Sequence, residues 1–311
     1  MRQHLISNKV YCCANVERAA LRHAQGKHCL LRASSPSHLK DKMLIGFDHF
    51  VILVRDLNAA TQTYHCLGFD VRAGGEHPAF GSHNALVALA DGTYLELLAF
   101  KDTALAARTF WRDAVARLQV CEGFGGYALQ SSDLADDVQQ IRARGLAVSD
   151  PQPGSRVRPD GQRVAWHTAL IGGTPPGVLP FLIQDDTPRA LRIEPASAGL
   201  GSRVRVKEIV VAVNDLGAAH SAYTALLGAA APSSTQELCF TMHWGSIVLV
   251  RADESVEGVY ALAFAVEDLE RERREMQARG VSVVDEPDGF LIAPDAACGA
   301  RVRLRLHHPA Q

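Results

Sequence analysis

The chain lacks the features that mark several classes of protein. None of its 311 residues belongs to an apolar run of 18, so we expect no membrane span. Its 32 basic and 34 acidic residues give a formal net charge of −2, so we expect neither nucleic acid nor an anionic membrane as a partner. The cysteines number seven, which is odd, and form no CxxC pair; this is typical of reduced thiols in a cytoplasmic protein. The GxSxG, P-loop and HExxH motifs are also absent, so hydrolase, nucleotide and zincin functions have no support.

A short pattern is present four times. Each copy has an apolar, β-branched run, an Asp-Leu pair, about ten helix-like residues and then a glycine. The acidic residues are Asp56, Asp133, Asp215 and Asp268, and the glycines are Gly68, Gly145, Gly228 and Gly280. Asp is a favourable helix N-cap because its carboxylate accepts an unpaired N–H, and Gly ends a helix because it adopts the left-handed conformation at little cost. Since two or three strand candidates follow each glycine, each copy predicts a βαβββ module.

The modules predict an α+β architecture of two domains. One module leaves a sheet face bare, so the four βαβββ modules should pair into two domains, each around a shared concave surface. We predict an N-terminal domain over residues 44–186, a linker rich in Pro, Gly, Ala and Ser over 187–202, and a C-terminal domain over 203–309. Residues 103–118, between modules one and two, predict an amphipathic helix that folds over an open cleft.

Residues 1–42 are excluded from the predicted fold. They contain eight Lys or Arg but only two acidic residues, with no repeat or strand signal. Three interpretations stay open: an organelle transit segment, a disordered tail, or upstream codons translated in error.

Module one contains a pair of side chains suited to a metal. His49 lies on its first strand and Glu96 on its last, and imidazole and carboxylate are ordinary ligands of Zn, Fe, Mn or Ni. A carboxylate inside the apolar run of residues 94–100 is costly to bury unless something pairs with it. In the alternative, purely structural roles, Glu96 pairs with an arginine or backbone amides, and His49 is a hydrogen-bonded core residue.

Further candidates lie in both N-terminal modules. At the entrance of a strand in module one, we predict His83 as a substrate contact and, with Glu96, as a proton carrier, and Asn84 as a second contact. We assign His77, before a proline, to a turn. The substrate-binding candidates in module two are Trp166, His167 and Gln184.

The C-terminal modules are chemically poorer. Glu208 and Ala261 stand where module one has His49, and Arg303 and Arg305 place positive charge on the last strand. Such a strand would repel a metal, and we expect its alternating basic residues to form an exposed face.

Three stretches of the N-terminal half resemble the vicinal oxygen chelate superfamily, which includes glyoxalase I, extradiol dioxygenases and the bleomycin-resistance proteins. They are FDHFVILVRDL (47–57), GSHNALV (81–87) and DGTYLELLAF (91–100). The similarity is strongest to glyoxalase-like domain proteins and covers residues 44–185; residues 204–307 resemble the superfamily only through the repeat. The resemblance implies metal ligands on the first and last strands of paired modules. The matching positions are His49 and Glu96 in module one, and Gly126 with Phe181 or Gln184 in module two. Module two has no carboxylate at its matching position, so the chain keeps only half of a four-ligand set.

Two functions follow from these residues. The first is an enzyme of lyase, isomerase or dioxygenase type, in which a divalent metal polarises two vicinal oxygens of a small substrate. The second is a metal-free protein that binds or sequesters a small aromatic or amphiphilic molecule. The sequence is compatible with a homodimer in either case.

Overall fold

The computed structural model describes residues 44–172, 177–228, 237–252 and 257–307. The predicted leader, residues 1–42, lies outside these ranges. No helix within them is long and apolar enough to cross a membrane.

The N-terminal half contains two copies of the predicted module. The first consists of β1 (Leu44–Leu53), α1 (Leu57–Cys66), β2 (Val71–His77), β3 (Ser82–Ala88) and β4 (Tyr94–Phe100). Two short helices follow, α2 (Thr103–Ala106) and α3 (Arg112–Val120). The second consists of β5 (Gly123–Ser131), α4 (Leu134–Ala143), β6 (Gln152–Val157), β7 (Arg163–Leu170) and β8 (Phe181–Asp185).

A helical turn, α5 (Arg189–Arg192), leads into the C-terminal half, which repeats the plan. Module three has β9 (Arg205–Val213), α6 (Leu216–Leu227), β10 (Glu237–Met242) and β11 (Gly245–Arg251). Module four has β12 (Gly258–Val266), α7 (Leu269–Ala278), β13 (Val283–Glu286), β14 (Gly289–Ile292) and β15 (Val302–Leu306).

The repeated Asp and Gly residues define the ends of the module helices as predicted. In each module the Asp side chain accepts a backbone N–H of the first helical turn. Each closing glycine has a positive φ, between 65° and 91°. The predicted α+β fold of βαβββ modules paired into two domains is confirmed, with two strands after the helix of module three among the described residues.

The first two modules close into a barrel with the strand order β1-β4-β3-β2-β6-β7-β8-β5. Within each module the first and last strands are parallel, and the two first strands, β1 and β5, pair antiparallel. This arrangement relates the modules by approximate two-fold symmetry and encloses a hollow between them. The last two modules form an open sheet, ordered β10-β11-β9-β12-β15-β14-β13.

The main hydrophobic core lies outside the barrel, between the two halves of the chain. It contains the buried faces of the module helices and the outward side chains of both sheets. Two hydrogen bonds of tyrosine hydroxyls cross it: Tyr127 contacts Tyr223 at 2.7 Å, and Tyr64 donates to the carbonyl of Ala297 at 3.3 Å. Because this core already covers the convex sheet faces, the barrel interior is not needed for packing the two halves together.

The connector over 103–118 differs from the prediction of one helix. It forms α2 and α3, separated at Ala107–Trp111. Thr109 lies at the break, where its hydroxyl donates to the carbonyl of Ala106 at 2.7 Å and accepts the N–H of Trp111 at 3.2 Å. A threonine that satisfies backbone groups in this way competes with helical hydrogen bonding. The connector still covers the cleft, since Phe110 and Trp111 line the cavity below.

Candidate active site

A cavity opens into the barrel, and its empty space of about 550 Å³ includes open solvent at the mouth. Its polar lining residues are His49, His77, Asn84, Glu96, Arg156, Thr168 and Arg192. Its aromatic lining residues are Phe80, Tyr94, Phe110, Trp111, Trp166 and Phe181. The cavity is therefore an apolar pocket with a few polar groups, which is the usual composition of a small-molecule site.

A β-bulge on the first strand places Asp48 beside His49. The pairing of β1 with β5 shifts register between Phe47 and His49, so Asp48 is the extra residue. Both side chains are buried, and His49 Nδ1 lies 2.5 Å from Asp48 Oδ1. The imidazole ring stacks on Tyr94, with centroids 4.8 Å apart. The bulge thus fixes both the position and the rotation of the ring.

Two arginines from the segment after the barrel hold Asp48. Arg192 is buried and donates to both carboxylate oxygens of Asp48, at 2.8 and 2.7 Å, and Arg189 donates to the same carboxylate. Burial alone would raise the pKa of Asp48, but the Arg192 guanidinium and the His49 hydrogen bond hold it well below its ordinary value. An ionised Asp48 accepts the proton of His49 Nδ1, so the Nε2 atom of a neutral His49 carries a lone pair.

That Nε2 atom faces Glu96. It lies 3.5 Å from Glu96 Oε2, and Asn84 Nδ2 donates to Glu96 Oε1 at 2.6 Å. His77 Nε2 is 3.9 Å from the same Oε1 atom. Burial lowers the pKa of His77 to about 4, against an opposing effect of Glu96, so this imidazole is neutral at pH 7. The floor of the cavity therefore presents two groups able to carry a proton, His49 and Glu96, beside a neutral imidazole.

The structure brings together four of the seven residues predicted for the site. His49 and Glu96 share the cavity floor, and Asn84 and Trp166 line its walls. Alternation along a strand explains why the other candidates lie elsewhere. His83 follows the inward Ser82 and precedes the inward Asn84, so it faces away from the cavity. Its predicted role as proton carrier is therefore not retained.

The two remaining candidates of module two have other partners. His167 lies between the lining residues Trp166 and Thr168 on β7, so it points outward, where its Nδ1 contacts Asp186 at 2.8 Å. Gln184 caps α4 instead: its Oε1 accepts the N–H of Leu134 at 2.8 Å, and its Nε2 donates to the carbonyl of Ser132 at 3.1 Å. We therefore assign neither residue to the site.

Sequence reasoning missed several residues of the site. His77, assigned to a turn, ends β2 with its side chain buried, and its Nδ1 contacts Ser82 Oγ at 3.1 Å. Arg156 lies on β6, and the strand was not predicted because it contains Pro153 and Gly154. Arg192 lies in the predicted linker. Asp48 stood beside His49 in the sequence, but regular alternation would have put it on the other face of the strand.

The residues present do not fit a protein-bound divalent metal. Equivalent strand positions in module two are Gly126, which has no side chain, and Phe181, whose ring contacts His49 edge-on at 5.3 Å. The described residues contain no group of three or more His, Cys, Asp or Glu that could hold a metal ion. The cation Arg156 also lines the cavity. His77 is a further donor nearby, with its Nε2 3.9 Å from Glu96 Oε1, but His49, Glu96 and His77 do not form such a group, so the predicted ligand pair has no completed coordination shell.

Buried ion pairs occupy the corresponding positions of the C-terminal half. Arg303 and Arg305 are only 3% and 7% exposed, which corrects the prediction of an exposed basic face. Arg305 Nη1 lies 3.3 Å from Glu208 Oε1, and Arg303 Nε lies 3.0 Å from Glu286 Oε1. Each cation there has a carboxylate partner within the chain.

Comparison with solved structures supports the fold. A hypothetical protein from Staphylococcus aureus superposes with a TM-score of 0.64 at 13% identity, over 84% of this chain and 99% of that one. A mutant of 4-hydroxymandelate synthase from Streptomyces coelicolor gives 0.60 at 15% identity, over 86% and 94%. A Mn(II)-bound glyoxalase from Novosphingobium aromaticivorans gives 0.56 at 13% identity, over 85% and 82%. At these identities the likeness shows the fold alone.

Comparison of sequences identifies the family. No curated protein matches the chain. A family model described as a glyoxalase-like domain matches residues 47–227, which is more than half of the chain. Together with the paired βαβββ modules, this match shows that the chain belongs to the glyoxalase-like domain family.

Proposed function

We propose that the N-terminal barrel is the active site of an enzyme that moves a proton on a small, largely apolar substrate. The reaction class is an isomerisation or a lyase reaction. The observation that supports this most strongly is the buried Asp48–His49 pair, with the free nitrogen of His49 3.5 Å from the Glu96 carboxylate. A fixed imidazole beside a buried carboxylate is an arrangement suited to general acid–base catalysis.

Asp48 is the positioning residue of this arrangement. Held by Arg192 and Arg189, it accepts the N–H of His49 Nδ1 and so fixes Nε2 as the nitrogen that faces Glu96. His49 is therefore one of the two groups placed to exchange a proton with the substrate.

Glu96 is the second proton carrier. Its Oε1 atom accepts from Asn84, which leaves Oε2 directed toward His49 Nε2. A substrate with two adjacent oxygen-bearing carbons would lose a C–H proton to one of the two groups and receive a proton on the neighbouring oxygen from the other. Proton return in the reverse sense at the other carbon completes the isomerisation, and no atoms are gained or lost.

No step of the proposed reaction uses a metal. The neighbouring glyoxalase structure holds Mn(II), but Gly126 and Phe181 supply no ligand at the matching positions here. The predicted Zn, Fe, Mn or Ni centre is therefore not carried into the proposed function.

Solvent deuterium exchange tests the proposal without knowledge of the product. Purified protein would be incubated in D₂O with aryl hydroxyketones and aryl 2-hydroxy acids, and loss of the C–H signal next to the oxygen followed by NMR. We expect exchange above the buffer rate that is abolished in His49→Ala and Glu96→Gln. His167→Ala is the matched control, because that imidazole lies outside the cavity, and it should retain full exchange. Exchange that survives both cavity substitutions would refute the assignment.

A second function, metal-free sequestration of a small molecule, is favoured by the aromatic walls. Phe80, Phe110 and Trp111 form a contiguous cluster at the connector, with neighbouring ring centroids 5.3 and 4.5 Å apart. Binding of a panel compound with no exchange in the wild type, and with unchanged affinity in Glu96→Gln, would select this function instead.

A further inference from the structure

Arg156 is a buried cation that pairs with none of the carboxylates in the described residues. It is 3% exposed and lines the cavity. Its Nη2 donates to the backbone carbonyl of Arg192, while its Nε has no hydrogen-bond partner among the residues that the structure describes. Within the described part of the chain its guanidinium forms no ion pair, whereas Arg189 and Arg192 both bind Asp48 and Asp185.

Such a group requires an explanation. Arginine stays protonated in proteins, so it cannot avoid the cost of burial by losing its charge. Burial lowers the pKa of Arg156, although Tyr94 and Glu96 act in the opposite direction. The charge is thus incompletely compensated by the protein, at a place where a ligand has access to the same cavity. A buried polar atom with no partner next to a cavity points to a partner supplied by the ligand.

The surroundings of Arg156 favour an anion with an apolar body. A Cβ placed on Gly74 would lie 3.0 Å from Arg156 Nη1 and 2.1 Å from Asn84 Oδ1, so the bare Gly74 backbone makes room for both side chains. Trp166 supplies an apolar wall of the same cavity. The ligand that matches these features has a charged end and an aromatic or aliphatic remainder.

We propose that Arg156 binds a carboxylate group of the substrate and sets the specificity of the barrel for small aryl or alkyl carboxylates. A guanidinium edge offers parallel N–H donors that match the two oxygens of a carboxylate. A phosphate dianion fits less well because the Glu96 carboxylate lines the same cavity. This assignment rests on the proposed function, since it describes the substrate of that same site.

Equilibrium binding tests the assignment separately from catalysis. Benzoate, phenylacetate and 3-phenylpropionate would be titrated calorimetrically against the wild type at pH 7, each beside its primary amide, with inorganic phosphate as a further probe. We expect the best carboxylate to bind about 10- to 100-fold more tightly than its amide, the range of a charge-assisted hydrogen bond to a buried group. Arg156→Gln should abolish this preference while amide affinity changes less than threefold.

Arg158→Gln is the matched control, because Arg158 lies just beyond the same strand and pairs with Asp160 and Glu194 outside the cavity. It should keep the preference for carboxylates. Amides that bind as well as their acids in the wild type would overturn the assignment, even if Arg156→Gln failed to fold. So would a preference that survives in Arg156→Gln, or phosphate binding as tight as that of the best carboxylate. Carboxylate preference without deuterium exchange would reject the proposed enzyme and retain Arg156 as a ligand contact. Deuterium exchange without carboxylate preference would retain the proposed enzyme and reject Arg156 as the carboxylate contact.

Discussion

Replacing Arg192 with methionine tests whether the buried charges around Asp48 act as one unit. The substitution keeps most of the apolar side chain but removes the hydrogen bonds to Asp48, Asp185 and the Tyr94 hydroxyl. Asp48 is fully buried, so it would be left as an incompletely paired charge. Removing one partner of a buried ion pair destabilises proteins by about 3 to 5 kcal/mol.

The measurement is urea unfolding at pH 7, followed by the fluorescence of Trp111 and Trp166, which line the barrel. With a slope of about 2 kcal/mol per molar urea, a loss of about 3 kcal/mol lowers the midpoint by about 1.5 M. Arg72→Met is the control, since that side chain is 36% exposed although it pairs with Asp70 and Glu194. It should cost about 0 to 1 kcal/mol.

A double substitution separates charge from packing. Asp48→Asn combined with Arg192→Met removes both charges, so the double variant should be more stable than the sum of the two single effects predicts. If Arg192→Met lowers stability no more than Arg72→Met, or if the two effects at positions 48 and 192 simply add, the account of Asp48 as an anchored anion is wrong.

Three other predictions concern the cavity. His77 has a folded-state pKa of about 4 against an ordinary 6.5. Between these two pH values its imidazole is protonated in the unfolded chain but not in the folded one. The stability that neutral His77 contributes is therefore complete above about pH 6.5 and is lost as the pH falls toward 4. Chemical unfolding between pH 7 and 4 should show that the wild type loses about 3 kcal/mol more stability than His77→Gln. Gly74→Ala should disturb the site because its Cβ would meet Asn84 at 2.1 Å, whereas Gly46→Ala, with no atom closer than 3.8 Å, should be tolerated; melting temperatures and near-UV circular dichroism compare them. Added Mn²⁺ or Zn²⁺ should leave the melting temperature unchanged, and a rise that disappears in His49→Ala would show that the cavity does bind a metal.

Local signals made the fold predictable. The Asp N-caps and closing glycines act within one helix, and the apolar runs mark buried strands, so their order along the chain is enough to define the modules. His49 and Glu96 could also be predicted from local sequence, because each is a polar residue within an apolar strand. The recurrence of the unit then determined how the strands pair.

The rest of the site depends on single-residue register and on distant contacts. His83 and Asn84 are neighbours in sequence, and only the actual strand register decides which one enters the cavity. Arg192 lies in a segment whose composition is that of a linker, and its burial arises from Asp48, which is 144 residues away. Arg156 lies in a strand that carries Pro and Gly, where no periodicity revealed an inward face. Such contacts are products of the closed barrel and have no local signature.

The path of the chain after the barrel has a mechanical implication. On leaving β8 the backbone does not run directly to the second sheet; it first makes the turn of α5, from which Arg189 and Arg192 reach back to Asp48. Any force or shift that draws the C-terminal half away would be transmitted through this short tether to the carboxylate that orients His49. The His49 ring is thus ordered only while this tether is intact. Proteolytic nicking between positions 186 and 200 would uncouple the C-terminal half from the carboxylate that orients His49.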